Sequence, residues 1–351
     1  MHEAYSVDAF NAPRDSMGSS PLTSSSVLIT GAGGAAVPAL IERLQAAGRR
    51  VVAVDADPNA AGLYVANRAY RVPFAASPDY AGAMRGICRR EGVEALIPLV
   101  DEELLPCAAL GNELGIAVIG PRPEFIALSL DKYELVRRMA EAGLPVPTTR
   151  LLSEGPGDLE LPVVLKPRVG RGSRDVHIIR TREELEAQIV AREPCEGNML
   201  LQRYVEGPEF TVSVVGWRDG RVRAVVPKQV VDKRGITRIA ITRRHAAIDA
   251  LCREIQARLR ADGPFNVQLR VDARSGLPLT FEINPRFSTT ITLTQAAGVD
   301  ELGAVLDLAL GIEPQASWDW REGVTLIRRT LDSFVEERDY QAKLDEIGRV
   351  P

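Results

Sequence analysis

The stretch FEINPRF, residues 281–287, sets a carboxylate, an amide and a guanidinium in a row as Glu282, Asn284 and Arg286. Phe281 and Ile283 alternate with the first two, as on a half-buried strand, and Pro285 ends the ladder before Arg286. A second apolar-alternating run precedes the turn ARSG. With that turn centred between Arg274 and Ser275, antiparallel partners have numbers summing to about 550. Gln268 then falls opposite Glu282. Asn266, Gln268, Arg270 and Asp272 share one face with Thr280, Glu282 and Asn284. Val267, Leu269, Val271, Leu279, Phe281 and Ile283 share the other, apolar face. Hard cations take such oxygens, and Mg²⁺ in particular is held by about one or two carboxylates together with substrate phosphates and water. Glu282, Asn284 and Gln268 are therefore candidate ligands of a Mg²⁺–nucleotide site. Arg286 is a candidate stabiliser of a phosphate or acyl phosphate. Spacing alone is equally compatible with a solvated polar face on an edge hairpin.

A nucleotide site needs more than a metal. Lys166 ends the apolar strand PVVLK, and the loop RVGRGSRDV follows with Gly170, Gly172 and Ser173. A strand-borne ammonium beside a glycine-rich loop suits a triphosphate, because backbone N–H groups can approach the oxygens while the lysine neutralises them. Arg168, Arg171 and Arg174 add positive charge. In LLQRYVEGPEFTV, Gln202 and the backbone at Tyr204 and Val205 can read an adenine edge, and Glu209 can accept from ribose hydroxyls. Each piece by itself is an ordinary turn or strand.

Taken in order and spacing, Lys132, Lys166, GRGS, QRYVEGPEF, Gln268 and FEINPRF resemble the ATP-grasp superfamily. The branch in question is the one similar to the large subunit of carbamoyl phosphate synthase, and the resemblance covers about residues 27–330. It implies an ATP site between two α+β subdomains. Lys132 and Lys166 would contact phosphates, and the Gly170–Ser173 loop would close over them. Gln202, Tyr204 and Val205 would hold adenine, and Glu209 the ribose. Glu282 and Asn284 would bind Mg²⁺ (or Mn²⁺), with Gln268 near the metal or the phosphates. Arg286 would face an acyl phosphate and, with Lys166, form the catalytic pair. The implied activity is an ATP-dependent ligase that activates a substrate carboxylate as an acyl phosphate for attack by an amine. A carbamoyl phosphate synthase-like enzyme that phosphorylates bicarbonate is the alternative. Two departures stand out: Gln202 occupies a position often held by Glu, and the glycine loop is arginine-rich with two glycines. Lys228, in VVPKQVV, is a further candidate for phosphate or substrate.

The elements that must position these residues follow from periodicity. SVLITGAGGAAVPALIERLQAAGRRVVAVDADP reads as β–α–β, and the alternation continues to residue 120, which predicts a Rossmann-like parallel domain over 26–120. TGAGGAA with Asp55 downstream also matches a dinucleotide fingerprint, so an NAD(P)-dependent oxidoreductase is the competing reading of this end. The alternative use of the same features is acceptor binding: the Gly31–Gly34 loop for a carboxylate, and Val100–Glu103 for an amine. Asp131 with Glu134 predicts a capping box opening a helix that Gly143 ends. Beyond it the pattern becomes α+β with antiparallel strands. The predicted organisation is a small subdomain with the glycine-rich loop over 121–195 and a C-terminal subdomain over 196–351, with residues 324–337 as an edge strand. Residues 1–25, rich in Ser, Ala, Asp and Pro, read as a flexible tail.

Composition narrows the classes. The 351 residues carry a formal net charge of −4, which argues against general nucleic-acid binding. Cys88, Cys107, Cys195 and Cys252 lack ligand or redox spacing and read as reduced thiols of a cytoplasmic protein. His2, His177 and His245 form no ligand or triad pattern. No apolar run is long enough to span a bilayer, and no signal-peptide pattern opens the chain. The expected partners are a small carboxylate and an amine, without nucleic acid or membrane. A homodimer is compatible with such an enzyme.

Overall fold

The computed structural model describes residues 26–172, 174–192 and 197–348. The tail assigned to residues 1–25, Cys195 and the loop residue Ser173 lie outside the described residues. The first domain is built by β1 (Ser26–Thr30), α1 (Val37–Ala46), β2 (Arg50–Asp55), α2 (Ala61–Val65), β3 (Arg68–Arg71), α3 (Tyr80–Glu91), β4 (Val93–Ile97), α4 (Leu104–Leu114) and β5 (Ala117–Val118). Its five strands pair in parallel in the order β3-β2-β1-β4-β5. Alternate residues of β1 go to opposite layers. Val27 and Ile29 pack with Leu40, Ile41 and Leu44 of α1, and Leu28 packs with Tyr80, Met84 and Ile87 of α3. Burial on both faces explains the near-continuous apolar runs of these strands. The short α2 and β3 carry no periodic signal and were not expected.

The middle of the chain supplies α5 (Pro123–Leu130), α6 (Lys132–Glu141), β6 (Thr149–Leu151), β7 (Val163–Pro167), β8 (His177–Ile179), α7 (Arg182–Val190) and β9 (Met199–Arg203). Its strands form a four-stranded antiparallel sheet in the order β6-β9-β7-β8. The sheet therefore runs past residue 195 to Arg203. Asp131 caps α6 by accepting from the amides of Tyr133 and Glu134. Glu134 turns to Arg137 rather than back to the cap, so the expected box is half formed.

The remaining elements are β10 (Glu209–Gly216), β11 (Val222–Arg234), β12 (Ile236–Thr242), α8 (Ala246–Leu259), β13 (Phe265–Val271), β14 (Pro278–Asn284), α9 (Ile291–Ala297), α10 (Glu301–Ala309), β15 (Thr325–Ile327) and α11 (Glu337–Ile347). Six strands form one antiparallel sheet in the order β14-β13-β10-β11-β12-β15. The expected edge strand over 324–337 is strand only in β15. The chain then leaves the sheet and forms α11, which packs on the first domain. Tyr340 stacks on Tyr64 at 5.7 Å, and the amide of Ala69 donates to Glu346 Oε1 at 3.0 Å. Among the described residues no helix is long and apolar enough to cross a membrane.

Candidate active site

Between the four-stranded and six-stranded sheets lies a cleft of about 180 Å³. Its floor is Lys166 on β7, which is 4% exposed. The Lys166 ammonium donates to Gln202 Oε1 at 2.9 Å and to the Phe281 carbonyl at 3.0 Å. Burial pushes the Lys166 pKa down to about 8, against the attraction of Glu282, and Lys132 pushes the same way as burial. Lys132, at the start of α6, also lines the cleft and donates to the Gly170 carbonyl, tying the helix to the glycine loop. Gly170 and Gly172 line the opening, with Arg171 and Arg174 beside them.

Gln202, Tyr204, Val205 and Glu209 line the same cleft. Two of them are already engaged. Gln202 takes the Lys166 proton donor on its oxygen and gives its own N–H to the Thr149 hydroxyl at 2.8 Å, so it positions the lysine. Glu209 accepts from Lys233 at 2.9 Å and from Arg270 at 2.9 Å. Arg270 also stands 5.4 Å from the Tyr204 ring centroid. Lys233 and Arg270 were missed as site residues. Arg270 was visible, since it follows Gln268 at the same-face spacing. Lys233 needed the register of β11. The turn between β9 and β10 is held against β13 because Gly207, with φ +130°, would place a Cβ 2.0 Å from the Val271 carbonyl oxygen.

In the hairpin of β13 and β14, Gln268 pairs with Glu282 and Asn266 with Asn284. Gln268 and Glu282 both line the cleft. Beyond this pair the register slips by one residue, so that Leu269 faces Thr280. Phe281 is the extra residue of the bulge. This corrects the expected faces. Phe281 lines the cleft with its ring 5.6 Å from the Lys166 ammonium, while Thr280 turns inward, 1% exposed, with a hydroxyl that has no hydrogen-bond partner. Asn284 is buried outside the cleft lining, with its Oδ1 3.4 Å from Arg286 Nη2. Lys228 is also displaced from its expected place: it lines neither the cleft nor the cavity described next. It is fully buried, donating to Ser213 and Thr290, and burial lowers its pKa to about 8 against the attraction of Glu301.

Arg286 faces the other way. Its Nε donates to Asp101 Oδ1 at 2.5 Å, across the junction with the first domain. It borders a larger cavity of about 710 Å³, whose walls include the Gly31–Gly34 turn, Asp55, Leu99–Glu103 and the turn Phe287–Thr289. Gly31 adopts φ +64°, and a Cβ there would lie 2.6 Å from Val100, so the turn seats directly on the strand end that carries Glu102 and Glu103. Asp55 accepts from the amides of Gly33 at 2.8 Å and Asp57 at 2.9 Å. The carboxylate that a dinucleotide ribose would need is thus engaged by the turn itself. Arg171 borders both spaces and pairs with Glu102 at 3.0 Å.

The cleft suits a polyanion: its walls carry Lys132, Lys166, Arg171 and Arg174 at one end and Glu282 opposite Gln268. Among the described residues no group of three His, Cys, Asp or Glu side chains is arranged to hold a metal ion. A cation at Glu282 would therefore need phosphate oxygens to complete its shell, which is the chemistry of a Mg²⁺–nucleotide complex.

Comparison with known proteins bears on the fold and the family that the chain resembles. Residues 196–330 match the family model described as ATP-grasp in the biosynthetic pathway with Ter operon, and residues 27–119 match the PylC-like N-terminal domain. The chain is 36% identical over 122 residues to a D-alanine–D-alanine ligase of Desulforudis audaxviator, covering 32% of this chain and 40% of that one. It is 26% identical over 336 residues to the carbamoyl phosphate synthase large chain of Thermus thermophilus, covering 86% of this chain and 31% of that one. The solved structure of an L-amino acid ligase from Bacillus licheniformis matches the fold with a TM-score of 0.67 at 18% identity, over 82% of this chain and 74% of that one. The C-terminal part of the chain thus resembles ATP-grasp proteins, with a PylC-like parallel domain ahead of it and a mixed α/β fold like that of the L-amino acid ligase. The chain spans 40% to 65% of the length of the first three curated relatives it matches.

Proposed function

We propose that the protein is an ATP-dependent ligase that phosphorylates a small carboxylate and joins the resulting acyl group to an amine. The observation that carries this reading is the convergence, in one cleft between two sheets, of Lys132, Lys166, the glycine loop, Gln202 to Glu209, and the Gln268–Glu282 pair. ATP would lie there with its base against Tyr204 and Val205 and its phosphates toward Lys132 and Lys166. Glu282 and Gln268 would hold Mg²⁺, with Asn284 reaching it by turning from Arg286. That ion, when bound, neutralises phosphate charge. Lys166, fixed by Gln202 and the Phe281 carbonyl, stays directed at the transferred phosphate instead of drifting into water. Arg286 borders the larger cavity and Arg171 borders both spaces, where an acyl phosphate would meet its acceptor. No side-chain nucleophile is required, since the substrate carboxylate attacks the phosphate itself.

The test is ADP release on adding carboxylate–amine pairs to protein, ATP and Mg²⁺. Stimulation should need both partners. Glu282→Ala and Lys166→Met should each lower the stimulated rate by about 100-fold or more. Retention of turnover in Glu282→Ala would remove the site assignment. The carbamoyl phosphate synthase likeness over 86% of the chain favours a second reading, in which bicarbonate is the carboxylate. Bicarbonate-stimulated ATP hydrolysis without any organic acid would select it.

A further inference from the structure

In the wall of the larger cavity one carboxylate oxygen is left unpaired by the ligase reading. Of the carboxylates at this junction, Asp55 is bonded by two amides, Asp101 by Arg286 and Glu102 by Arg171. Glu103 differs. It lines the cavity, is 7% exposed, and its Oε2 has no hydrogen-bond partner. Burying such an oxygen without a donor is costly, and proteins keep one where a ligand or water supplies the donor. An N–H group is the complement, and the carboxylates of Asp55 and Glu102 nearby favour one that carries positive charge. Much of the remaining wall is apolar: Val37, Leu40, Leu99, Val100, Phe74 and Phe287.

We propose that this cavity receives the acceptor substrate, a primary amine on an apolar body, and that Glu103 binds its ammonium group and takes its proton. The role in catalysis rests on the ligase reading above. An ammonium cannot attack an acyl phosphate. It first gives one proton to the Glu103 carboxylate. The free amine then forms the C–N bond, the carbon–oxygen bond to phosphate breaks, and phosphate leaves with the electron pair. The second proton from nitrogen goes to the departing phosphate. Burial raises the Glu103 pKa to about 7, with the Thr30 hydroxyl lowering it, Asp55 and Glu102 raising it and Arg171 lowering it. Tyr80 and Cys107, the other titratable groups facing it, are both held neutral by burial. A base with that affinity accepts a proton near neutral pH.

Calorimetric titration of the full chain, without nucleotide, tests the site. The probes are butylamine and phenethylamine against alcohols and carboxylates of the same length. The amines should bind in preference, and Glu103→Gln should weaken them by about tenfold or more while ATP binding and the melting temperature hold. In the wild-type protein, amine affinity should fall as pH drops below 7 and Glu103 is protonated, a readout that does not depend on the variant folding. Failure of both amines to bind, equal binding of the alcohols, unchanged binding in Glu103→Gln or a flat pH profile each overturns the proposal. ATP is titrated alongside. Amine binding without ATP binding would leave the amine site standing and remove the ligase reading, and the reverse result would do the opposite.

Discussion

At the residue scale, Lys166 is the group with the most to lose. It is buried, it holds two neutral oxygens, and its pKa is lowered to about 8 chiefly by burial. A lysine lowered in this way binds fewer protons folded than unfolded between about 8 and its ordinary value. Its contribution to stability therefore rises with pH across that window, and below it the buried charge is a standing cost. A polyanion in the cleft reverses the balance by favouring the charged form. ATP binding at pH 8 should then take up protons. Calorimetry in buffers of different ionisation enthalpy measures this uptake, which Lys166→Met should abolish. Lys228 has a similarly lowered pKa but faces Ser213 and Thr290 away from the cleft, so Lys228→Met should leave the uptake in place.

At the element scale, the β13–β14 hairpin shows what was legible and what was not. Alternation and turn position led directly to the Gln268–Glu282 pair, because both depend only on local period and loop length. They failed one residue earlier, at Phe281, because a bulge inserts one residue into one strand and leaves no mark in composition. The side chain expected in the core entered the cleft, and the threonine expected in the cleft entered the core. Arg270 could have been read from the same alternation. Asp101 could not, since its pairing with Arg286 joins residues 185 apart through the packing of two domains. The bulge has a measurable consequence. Thr280 buries a hydroxyl with no partner, so Thr280→Val keeps the shape and removes the unmet polar group. It should stabilise the protein by about 1 kcal/mol, seen as a higher urea midpoint with an unchanged slope. A lower midpoint would show that the hydroxyl has a partner in solution.

At the scale of the whole molecule, the two halves of the site must be held in register although they come from separate sheets. Arg328, just past the end of β15, is placed to do this. It donates to the carbonyls of Thr237 at 3.1 Å, Ala35 at 3.1 Å and Thr289 at 2.6 Å. Ala35 belongs to the glycine turn of the first domain, Thr289 to the turn after FEINP, and Thr237 to β12, so one guanidinium joins three walls of the larger cavity. Burial lowers its pKa, yet it stays charged throughout the physiological range. A lysine would keep the charge but, with a single ammonium on a flexible stem, could not span three carbonyls in fixed directions. Arg328→Lys should cost about 1–3 kcal/mol of stability through the lost charged hydrogen bonds. Its effect on turnover should be selective. The nucleotide cleft is built by other residues, so ATP affinity should hold. The acceptor wall should loosen, raising the acceptor KM about tenfold while kcat changes little, because binding geometry and not the phosphoryl step is disturbed. Equal losses in ATP and acceptor affinity would mean that Arg328 supports the whole fold and not the register of its two halves.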